Sequence, residues 1–415
     1  MKSEQFVGAV KKCQICSNKN LELVLPLGHQ LPVSSYLTKK QLQEPEITYP
    51  LNLCRCPKCG LLQLDYILDP DIAFPFIYPY RSGLTNMLVK NFRSLADLLE
   101  KKYNLTPKDL VIDIGSNDGT LLQGFKDKGM RVLGIEPTDA ADVANKNSIP
   151  TVQEFINKKT VAKITKKYGK AQIITATNVF AHIPNMPELI NNIKNLLAKD
   201  GVFVSESQYL LAIVEKLEFD TVYHDHLRYY SLKPLQYLFN SFGCTLVDAE
   251  RISAAGGSIR VFAMKGKRPQ SDRVKKLIRE EEKSGIYDKK FWNQFRKQVM
   301  TAKNDLLAII LQCKKEGARL VGLTSSARSN TLLGFTGINN QFLNYIGEKK
   351  GSPKIGLFTP GTHIPVVDEQ KIIKYQPEYV LVSSWHIGEE LMKVMRKMGY
   401  KGKFIIPLPK PRIIK

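Results

Sequence analysis

Short apolar runs that close on a small or acidic residue recur through the middle of this chain. Leu110-Val111-Ile112-Asp113-Ile114 is one, followed by Gly115-Ser116-Asn117-Asp118-Gly119 and then an apolar-periodic segment beginning near Leu121. An apolar run suits a parallel strand covered by helices on both faces, and strand, glycine turn and helix together open a nucleotide-binding βαβ unit. Arg131–Glu136, Ala171–Asn178 and Gly201–Glu206 repeat the pattern and predict the second, fourth and fifth strands. Ahead of them, Pro75 and Pro79 interrupt a tyrosine-rich bridge, so a helix is expected only from about Leu84. Gly266–Gln270 reads as a linker. Beyond it, Phe291, Phe295, Val299, Ala302, Leu306, Ile310 and Cys313 recur at three- and four-residue spacing, predicting one long amphipathic helix. Arg319–Leu323 and the hydroxyl-rich turn after it then open a second βαβ unit.

Composition narrows this picture without changing it. At 415 residues the chain is long for one core, so two or three domains are expected. Its 43% hydrophobic and 24% charged residues are ordinary for a soluble globular protein. No apolar run approaches the roughly 18–20 residues that span a bilayer, and Met1–Gln5 lacks the apolar core of a signal peptide. The expectation is a cytoplasmic protein with no membrane partner. A net charge of +22 raises the question of nucleic acid. The lysines are scattered, without a dense block or interleaved aromatics, so no nucleic-acid partner is expected. Such a field would instead help capture a phosphate-bearing substrate.

Five of the seven cysteines lie in the first 59 residues. Cys13-Gln14-Ile15-Cys16 and Cys56-Pro57-Lys58-Cys59 are two C-x-x-C pairs, which together supply a tetrahedral thiolate cage for a structural Zn²⁺. The gap between the pairs demands an intervening excursion, Leu27 to Tyr49. Cys54 fits poorly beside the second pair and reads as a spare. Free thiols, or a redox pair, are the competing readings, and nothing thioredoxin-like surrounds either motif.

The glycine turn bears on the cofactor. A dinucleotide fingerprint needs G-x-G-x-x-G, whereas Asn117 occupies the place of the middle glycine. The resulting D-x-G-x-x-x-G, with Asp113 at the strand end, resembles class I S-adenosylmethionine methyltransferases. Asp113 or the loop amides would then face the methionine part of the donor. Glu136, closing the next strand, is placed to accept from both ribose hydroxyls, a position that also occurs in NAD sites. Ligands of such sheets bind beyond the carboxyl ends of the strands, which brings Asn178, Val179, Phe180, His182 and Glu206 toward the donor.

Two further stretches carry candidate chemistry. Tyr223-His224-Asp225-His226 packs two of six histidines, an acid and a tyrosine into four residues, a concentration of proton-transfer capacity near neutral pH. As a metal site it would offer only two ligands from alternate positions, and a solvated run is the other reading. Thr324–Leu333, with small hydroxyl residues and Arg328 between strand and helix, suits a phosphate or a sugar hydroxyl, a purely structural turn being the alternative.

At this point a resemblance covers essentially the whole chain. The sequence resembles the sugar 3-C-methyltransferase family, whose members methylate a nucleotide-linked 4-keto-6-deoxy sugar. The shared segments are the four-cysteine module with Pro50-Leu51 and Cys59–Leu64, then I-G-S-N-D-G, G-I-E-P and N-V-F-A-H. Phe219–His226, read as F-D-T-x-Y-H-E-H with Asp225 for the usual Glu, and Gly256–Val261 also match, as do Thr331-Leu332-Leu333, Pro360–Val366, the Trp385 segment and Phe404–Pro409. Glu348 and Ile355 depart from the family's usual Asp and Gln.

The resemblance implies an α/β protein with three parts. These are a zinc-binding domain (1–75), a class I Rossmann-like methyltransferase domain (76–266) and a C-terminal Rossmann-like α/β domain (267–415) that helps hold the sugar nucleotide. It implies His226 as general base, with His224, Asp225, Tyr223 and His182 around it and Tyr78 or Tyr80 on a lid-like segment. The donor, S-adenosylmethionine, would meet Asp113, Gly115, Ser116, Asn117, Asp118, Gly119, Glu136, Pro137, Asn178, Val179 and Phe180. The substrate would meet Ser325, Ser326, Arg328, Asn330, His363 and Trp385, and zinc would be held by Cys13, Cys16, Cys56 and Cys59. The expected partner is a nucleotide-sugar substrate, TDP- or GDP-linked, and the chain is expected to be a monomer. An O- or N-methyltransferase on another metabolite is the competing enzyme reading. A zinc-containing scaffold that keeps a relic cofactor fold is the competing non-enzymatic one.

Overall fold

The computed structural model describes residues 7–74, 81–84 and 86–415; Pro75, Tyr78, Pro79 and Tyr80 lie outside the described residues. Leu110–Ile114 is buried along its whole length, as its unbroken apolar run requires. It pairs in parallel with Arg131–Ile135 on one side and Ala171–Thr177 on the other. Thr151–Val152 lies outside the former and Leu197–Gln208, longer than the expected fifth strand, outside the latter. Ser258–Lys265 then runs antiparallel beside Leu197–Gln208, with Cys244–Ile252 at the edge. Numbered along the chain, these seven strands stand sixth, seventh, fifth, fourth, first, second, third. The reversed seventh strand between the fifth and sixth is the class I methyltransferase arrangement.

The C-terminal residues build a second sheet in the order Val366–Asp368, Ile346–Glu348, Leu320–Leu323, Tyr379–Val382, Lys403–Ile406, Arg412–Ile414, antiparallel only at the last strand. The strand order reverses between Leu320–Leu323 and Tyr379–Val382, which opens a crevice beyond their carboxyl ends. The long helix predicted for this region is Lys289–Lys315. Its inner face carries Trp292, Phe295, Val299, Ala302, Leu306, Ile310 and Cys313, so Trp292 and not Phe291 begins the buried stripe. Both lie on the first turn, and the larger ring takes the core side, where its indole N–H donates to the Ile286 carbonyl at 2.8 Å. No helix among the described residues is long and apolar enough to cross a membrane.

At the N-terminus, Glu22–Gln30, Tyr49–Arg55 and Leu62–Leu64 form an antiparallel sheet. Its fourth strand is not local. Arg228–Tyr229, two residues beyond His226, pairs with Leu62–Gln63 at the sheet edge. The excursion between the cysteine pairs reaches the C-terminal unit, where Leu37 bridges Phe358 and Tyr36 meets Ser325.

The two C-x-x-C turns converge at the end of this sheet. Their four sulfurs lie within 4.8 Å of one another, with Cys13–Cys59 and Cys16–Cys56 each at 3.5 Å. Bonds of about 2.3 Å from a tetrahedral zinc place neighbouring sulfurs roughly 3.8 Å apart, so the donor set fits Zn²⁺. The Cys16 amide and the Asn18 side-chain amide point at Cys13 Sγ and Cys56 Sγ, supporting thiolate charge. Cys54 stays outside, and burial pushes its thiol up to about 12. The protein thus carries a structural zinc cage with four ligands and no open position. Metal analysis is expected to find one zinc per chain. A chelator should then raise amide exchange at Leu62–Leu64 and Arg228–Tyr229 together, because structural zinc contributes on the order of 10 kcal/mol in small modules. Retained protection at Tyr229 would show that the fourth strand stands without the metal.

Candidate active site

The glycine loop is shaped by one tight approach. Gly115 has φ of 69°, and a Cβ there would strike the Val179 side chain. Val179 follows Asn178, itself held at φ of 57° with its amide donating to the Glu206 carbonyl at 2.8 Å. The two loops that close the first and fourth strands therefore lie against each other at the carboxyl edge. Glu136 stands beside them, its Oε2 accepting from the Asn117 amide at 3.0 Å and its Oε1 from the Thr138 amide and hydroxyl at 3.0 and 2.6 Å. One acceptor position on Oε2 is open, whereas Oε1 is already filled. Taking both ribose hydroxyls, as the sequence suggested, would require the Thr138 hydroxyl to turn away. Asp113 lies beneath the loop, accepts from Thr175 Oγ1 at 2.6 Å, and is pushed by burial up to about 7. Ser116 Oγ is buried without a hydrogen-bond partner. A tight glycine turn, an acid at the second strand end and an orphaned hydroxyl together fit S-adenosylmethionine.

Several residues expected at the donor do something else with their side chains. Asn117 Oδ1 accepts from the Ser82 amide at 2.9 Å and Asp118 Oδ2 from the Gly83 amide at 2.8 Å. Both side chains tie the segment before helix Asn86–Tyr103 onto the glycine loop, and the Asn117 and Gly119 amides are themselves taken by Glu136 and the Ser116 carbonyl. Phe180 is fully buried among Phe203, Tyr230 and Phe239, so its ring belongs to the core. Glu206 is clamped by Arg260 at 2.5 Å and by Asn91 at 2.9 Å. An ion pair inside the sheet, not the donor, accounts for its place at the strand end. Pro137 is half-buried on the turn after Glu136.

The Tyr223–His226 segment lies on a tight turn led by the 3₁₀ turn Phe219–Thr221. His226 is half-buried between the Tyr223 ring, 4.0 Å away centroid to centroid, and His182, stacked at 5.1 Å. Its Nδ1 is 2.9 Å from the Thr221 carbonyl. A carbonyl only accepts, so Nδ1 carries the proton and Nε2 keeps its lone pair. Burial lowers the imidazole to about 4, so it is neutral at physiological pH. Asp225 is buried with Oδ1 unpartnered, and burial pushes its carboxyl up to about 7. His224 faces the other way, with Nε2 3.2 Å from the Pro50 carbonyl of the zinc sheet. It anchors the turn instead of joining the ring cluster. Phe74, the last described residue before the Tyr78/Tyr80 bridge, stacks on His182 at 5.5 Å.

The residues assigned to substrate separate into three places. Ser325, Ser326 and Asn330 line the C-terminal crevice with Thr324 and Ser384. The Ser325 amide donates to Glu348 at 2.8 Å, and Ser326 Oγ is 3.3 Å from Ser384 Oγ. Asn330 gives its amide to the Val33 carbonyl at 2.7 Å and leaves Oδ1 buried and unpartnered. His363 is elsewhere, 2.5 Å from Glu46 of the N-terminal excursion, so it fastens two parts of the chain. Arg328 and Trp385 turn from the crevice toward Asp220. The guanidinium grips both carboxylate oxygens at 2.8 and 3.0 Å, and the indole N–H donates to one of them at 2.9 Å. A buried acid outcompetes a solvated phosphate for that fork.

Sequence reasoning passed over Asp220, Arg228 and Gln14. Asp220 lies in a quoted segment, but nothing local revealed a partner 108 residues away. Fully buried Arg228 joins Gln14 of the first zinc turn, at 2.6 Å, to the carbonyls of Ala181 and Ile183 that flank His182. An arginine immediately after a reactive segment was the available signal. Replacing Glu136 with Gln is expected to weaken S-adenosylmethionine binding roughly 10- to 100-fold by calorimetry, the range of a lost hydrogen bond to a charged acceptor. Unchanged affinity would place the ribose elsewhere.

Comparison with known proteins agrees with this anatomy. Family models described as a zinc binding domain, a methyltransferase domain and a C-methyltransferase C-terminal domain match residues 13–74, 86–249 and 253–409. C-methyltransferase NovU of Streptomyces niveus is 28% identical over 415 residues, covering 99% of this chain and 98% of that one. A ubiquinone biosynthesis O-methyltransferase of Actinobacillus pleuropneumoniae is 27% identical over 117 residues, 26% of this chain and 48% of that protein. The magnesium protoporphyrin IX methyltransferase of Synechocystis, solved with bound S-adenosylmethionine, covers 43% of this chain and 79% of its own at 15% identity, with a TM-score of 0.33. The zinc cage, the donor sheet and the C-terminal unit follow one another as those three family models do, and with the end-to-end match to a C-methyltransferase they support an S-adenosylmethionine-dependent C-methyltransferase.

Proposed function

We propose that this C-methyltransferase adds a methyl group to carbon 3 of a TDP- or GDP-linked 4-keto-6-deoxy sugar, in deoxysugar biosynthesis for a surface polysaccharide or a natural product. The observation that carries the reading is the tautomer of His226. Carbon becomes a nucleophile only after losing a proton, and a hydrogen beside a ketone is the accessible one because the enolate spreads the charge onto oxygen. A neutral imidazole with Nδ1–H tied to the Thr221 carbonyl offers Nε2 to that proton. Methylation of oxygen or nitrogen needs far less of such a base.

Bound S-adenosylmethionine supplies the electrophilic methyl on its sulfonium. The protein's share is to hold substrate, take the proton and steady the oxyanion. Tyr223, packed on the His226 ring, is suited to donate to the enolate oxygen. Asp225 replaces the usual glutamate, and a carboxyl near 7 keeps a substantial protonated fraction at neutral pH, able to donate as well. His182, stacked on His226 and held well below its usual range by burial, stays neutral and avoids a second charge beside the base.

The nucleotide is assigned to the C-terminal crevice. That unit repeats the donor site's plan: Glu348 ends its second strand and accepts the Ser325 amide, as Glu136 accepts the Asn117 amide. Thr324, Ser325, Ser326 and Ser384 offer hydroxyls at the switch point, and the Lys354 ammonium lies 3.9 Å from Glu348. These features suit a ribose and a diphosphate.

Purified protein incubated with methyl-labelled donor and a panel of 4-keto-6-deoxy nucleotide sugars is expected to give a singly methylated product. In deuterated water the carbon 3 hydrogen should exchange. His226→Asn should lose roughly 10²- to 10⁴-fold in turnover and exchange while still binding donor. A variant that retained turnover would favour the O- or N-methyltransferase reading. The pH profile has a definite sign: the base works deprotonated, so kcat/KM should hold down to about pH 5 and fall as His226 takes a proton near 4. An acid limb at about 6.5 would identify a solvated histidine instead.

A further inference from the structure

The 3₁₀ turn Phe219–Thr221 makes two sets of contacts that face opposite ways. On one side Asp220, fully buried, is held by three donors from the C-terminal unit: Arg328 Nη2 on Oδ1 at 2.8 Å, and Arg328 Nε and the Trp385 indole on Oδ2 at 3.0 and 2.9 Å. On the other side the next carbonyl, that of Thr221, accepts from His226 Nδ1 at 2.9 Å and from the Tyr229 hydroxyl at 3.1 Å. The planar fork of a guanidinium on a carboxylate fixes orientation as well as position. The indole adds a third donor, on the oxygen that Arg328 Nε already holds. The Arg328 guanidinium in turn lies over the Trp385 ring, 5.4 Å from its centroid.

We propose that Arg328 and Trp385 are positioning residues for carbon deprotonation: they grip Asp220 and, through the adjoining Thr221 carbonyl, hold His226 in the tautomer that leaves Nε2 free. This inference rests on the reading of His226 as the base and reassigns Arg328 from substrate contact to support of that base.

Both grips begin at the crevice. Arg328 lies two residues past Ser326, which caps helix Ala327–Thr336, and Trp385 follows Ser384 beyond strand Tyr379–Val382. The two serine hydroxyls are 3.3 Å apart. A nucleotide seated over this hydroxyl pair would press on the two elements that hold Asp220, so remote binding energy would reach the proton-transfer step. Glu218, also fully buried, lies 3.5 Å from Arg328 Nη1 with neither oxygen hydrogen-bonded, and burial pushes it up to about 7. It makes no hydrogen bond to the guanidinium, whose two N–H···O bonds go to Asp220. Gly256 closes over this group, where a Cβ would lie 2.7 Å from Glu218 Oε1 and 3.1 Å from Arg328 Nη1.

The test uses full-length protein carrying ¹⁵N-histidine, with three variants: Arg328→Lys, which keeps the charge but loses the fork; Asp220→Asn; and Trp385→Phe, which keeps the ring but loses the N–H. Imidazole ¹⁵N shifts report the tautomer without substrate, with His226→Asn providing the assignment. The parent is expected to show His226 as Nδ1–H alone, and each variant a mixture with Nε2–H. Turnover and carbon 3 exchange should fall together by roughly 10- to 100-fold, as a misplaced catalytic group does, with the nucleotide-sugar KM and donor affinity near parent values. A raised KM with an unchanged tautomer would make Arg328 a substrate ligand and overturn the proposal. Lower thermal stability with tautomer and exchange rate unmoved would also overturn it, leaving a purely structural cluster. Absence of methyl transfer by the parent on every keto-sugar would sink the proposed substrate, while the ¹⁵N spectra would still decide the positioning role.

Discussion

The pairing of Arg228–Tyr229 with Leu62–Gln63 is the constraint on which the rest of the site depends. A two-residue strand has little stability alone, and it exists here because the zinc sheet offers it an edge. Once paired, it fixes the exit of the Tyr223–His226 turn. Arg228, its side chain fully buried, cannot stay unpartnered at acceptable cost. It is satisfied by Gln14 from a zinc turn and by the carbonyls around His182. The zinc cage thereby acts at a distance: it holds the sheet edge, the edge holds the strand, and the strand holds two stacked histidines.

The same turn is held from its other end by the C-terminal unit, through Asp220. The reactive segment is thus suspended between two supports that belong to neither the glycine loop nor the strands of the donor sheet. This arrangement gives a physical sense to three units in one chain. A general base needs its orientation fixed within a fraction of an ångström and its tautomer chosen, and a short loop cannot supply that by itself. The donor sheet carries the glycine loop at its carboxyl edge, while the flanking units fix the histidine turn.

Burial then tunes the chemistry. His226 and His224 are lowered to about 4 and remain neutral, while Asp225 and Glu218 are raised to about 7 and are partly protonated at neutral pH. Desolvation is the leading cause in each case and works against charge of either sign. Under the proposed reaction, the negative charge of an enolate would develop beside neutral imidazoles and a partly protonated carboxyl, where nearby donors could answer it.

The sequence alone determined those features whose physics is local. Leu110–Ile114 declared a buried parallel strand because its apolar run allows little else, and Asn117 in place of a glycine pointed away from dinucleotides. Two C-x-x-C turns announced the cage because each turn brings its own pair of sulfurs together. The spacing from Phe295 to Cys313 marked the buried stripe of the long helix, missing only that Trp292 and not Phe291 begins it. Tertiary structure decided everything that depends on partners far along the chain. Arg328, read as a ligand for a phosphate or a sugar hydroxyl, is taken by Asp220; Glu206, read as lying near the donor, is taken by Arg260; His363 fastens Glu46; and Phe180 sinks into the core. A charged or aromatic side chain has the same local signature whether it meets a ligand or a buried complement. Only the folded chain shows which partner reaches it first.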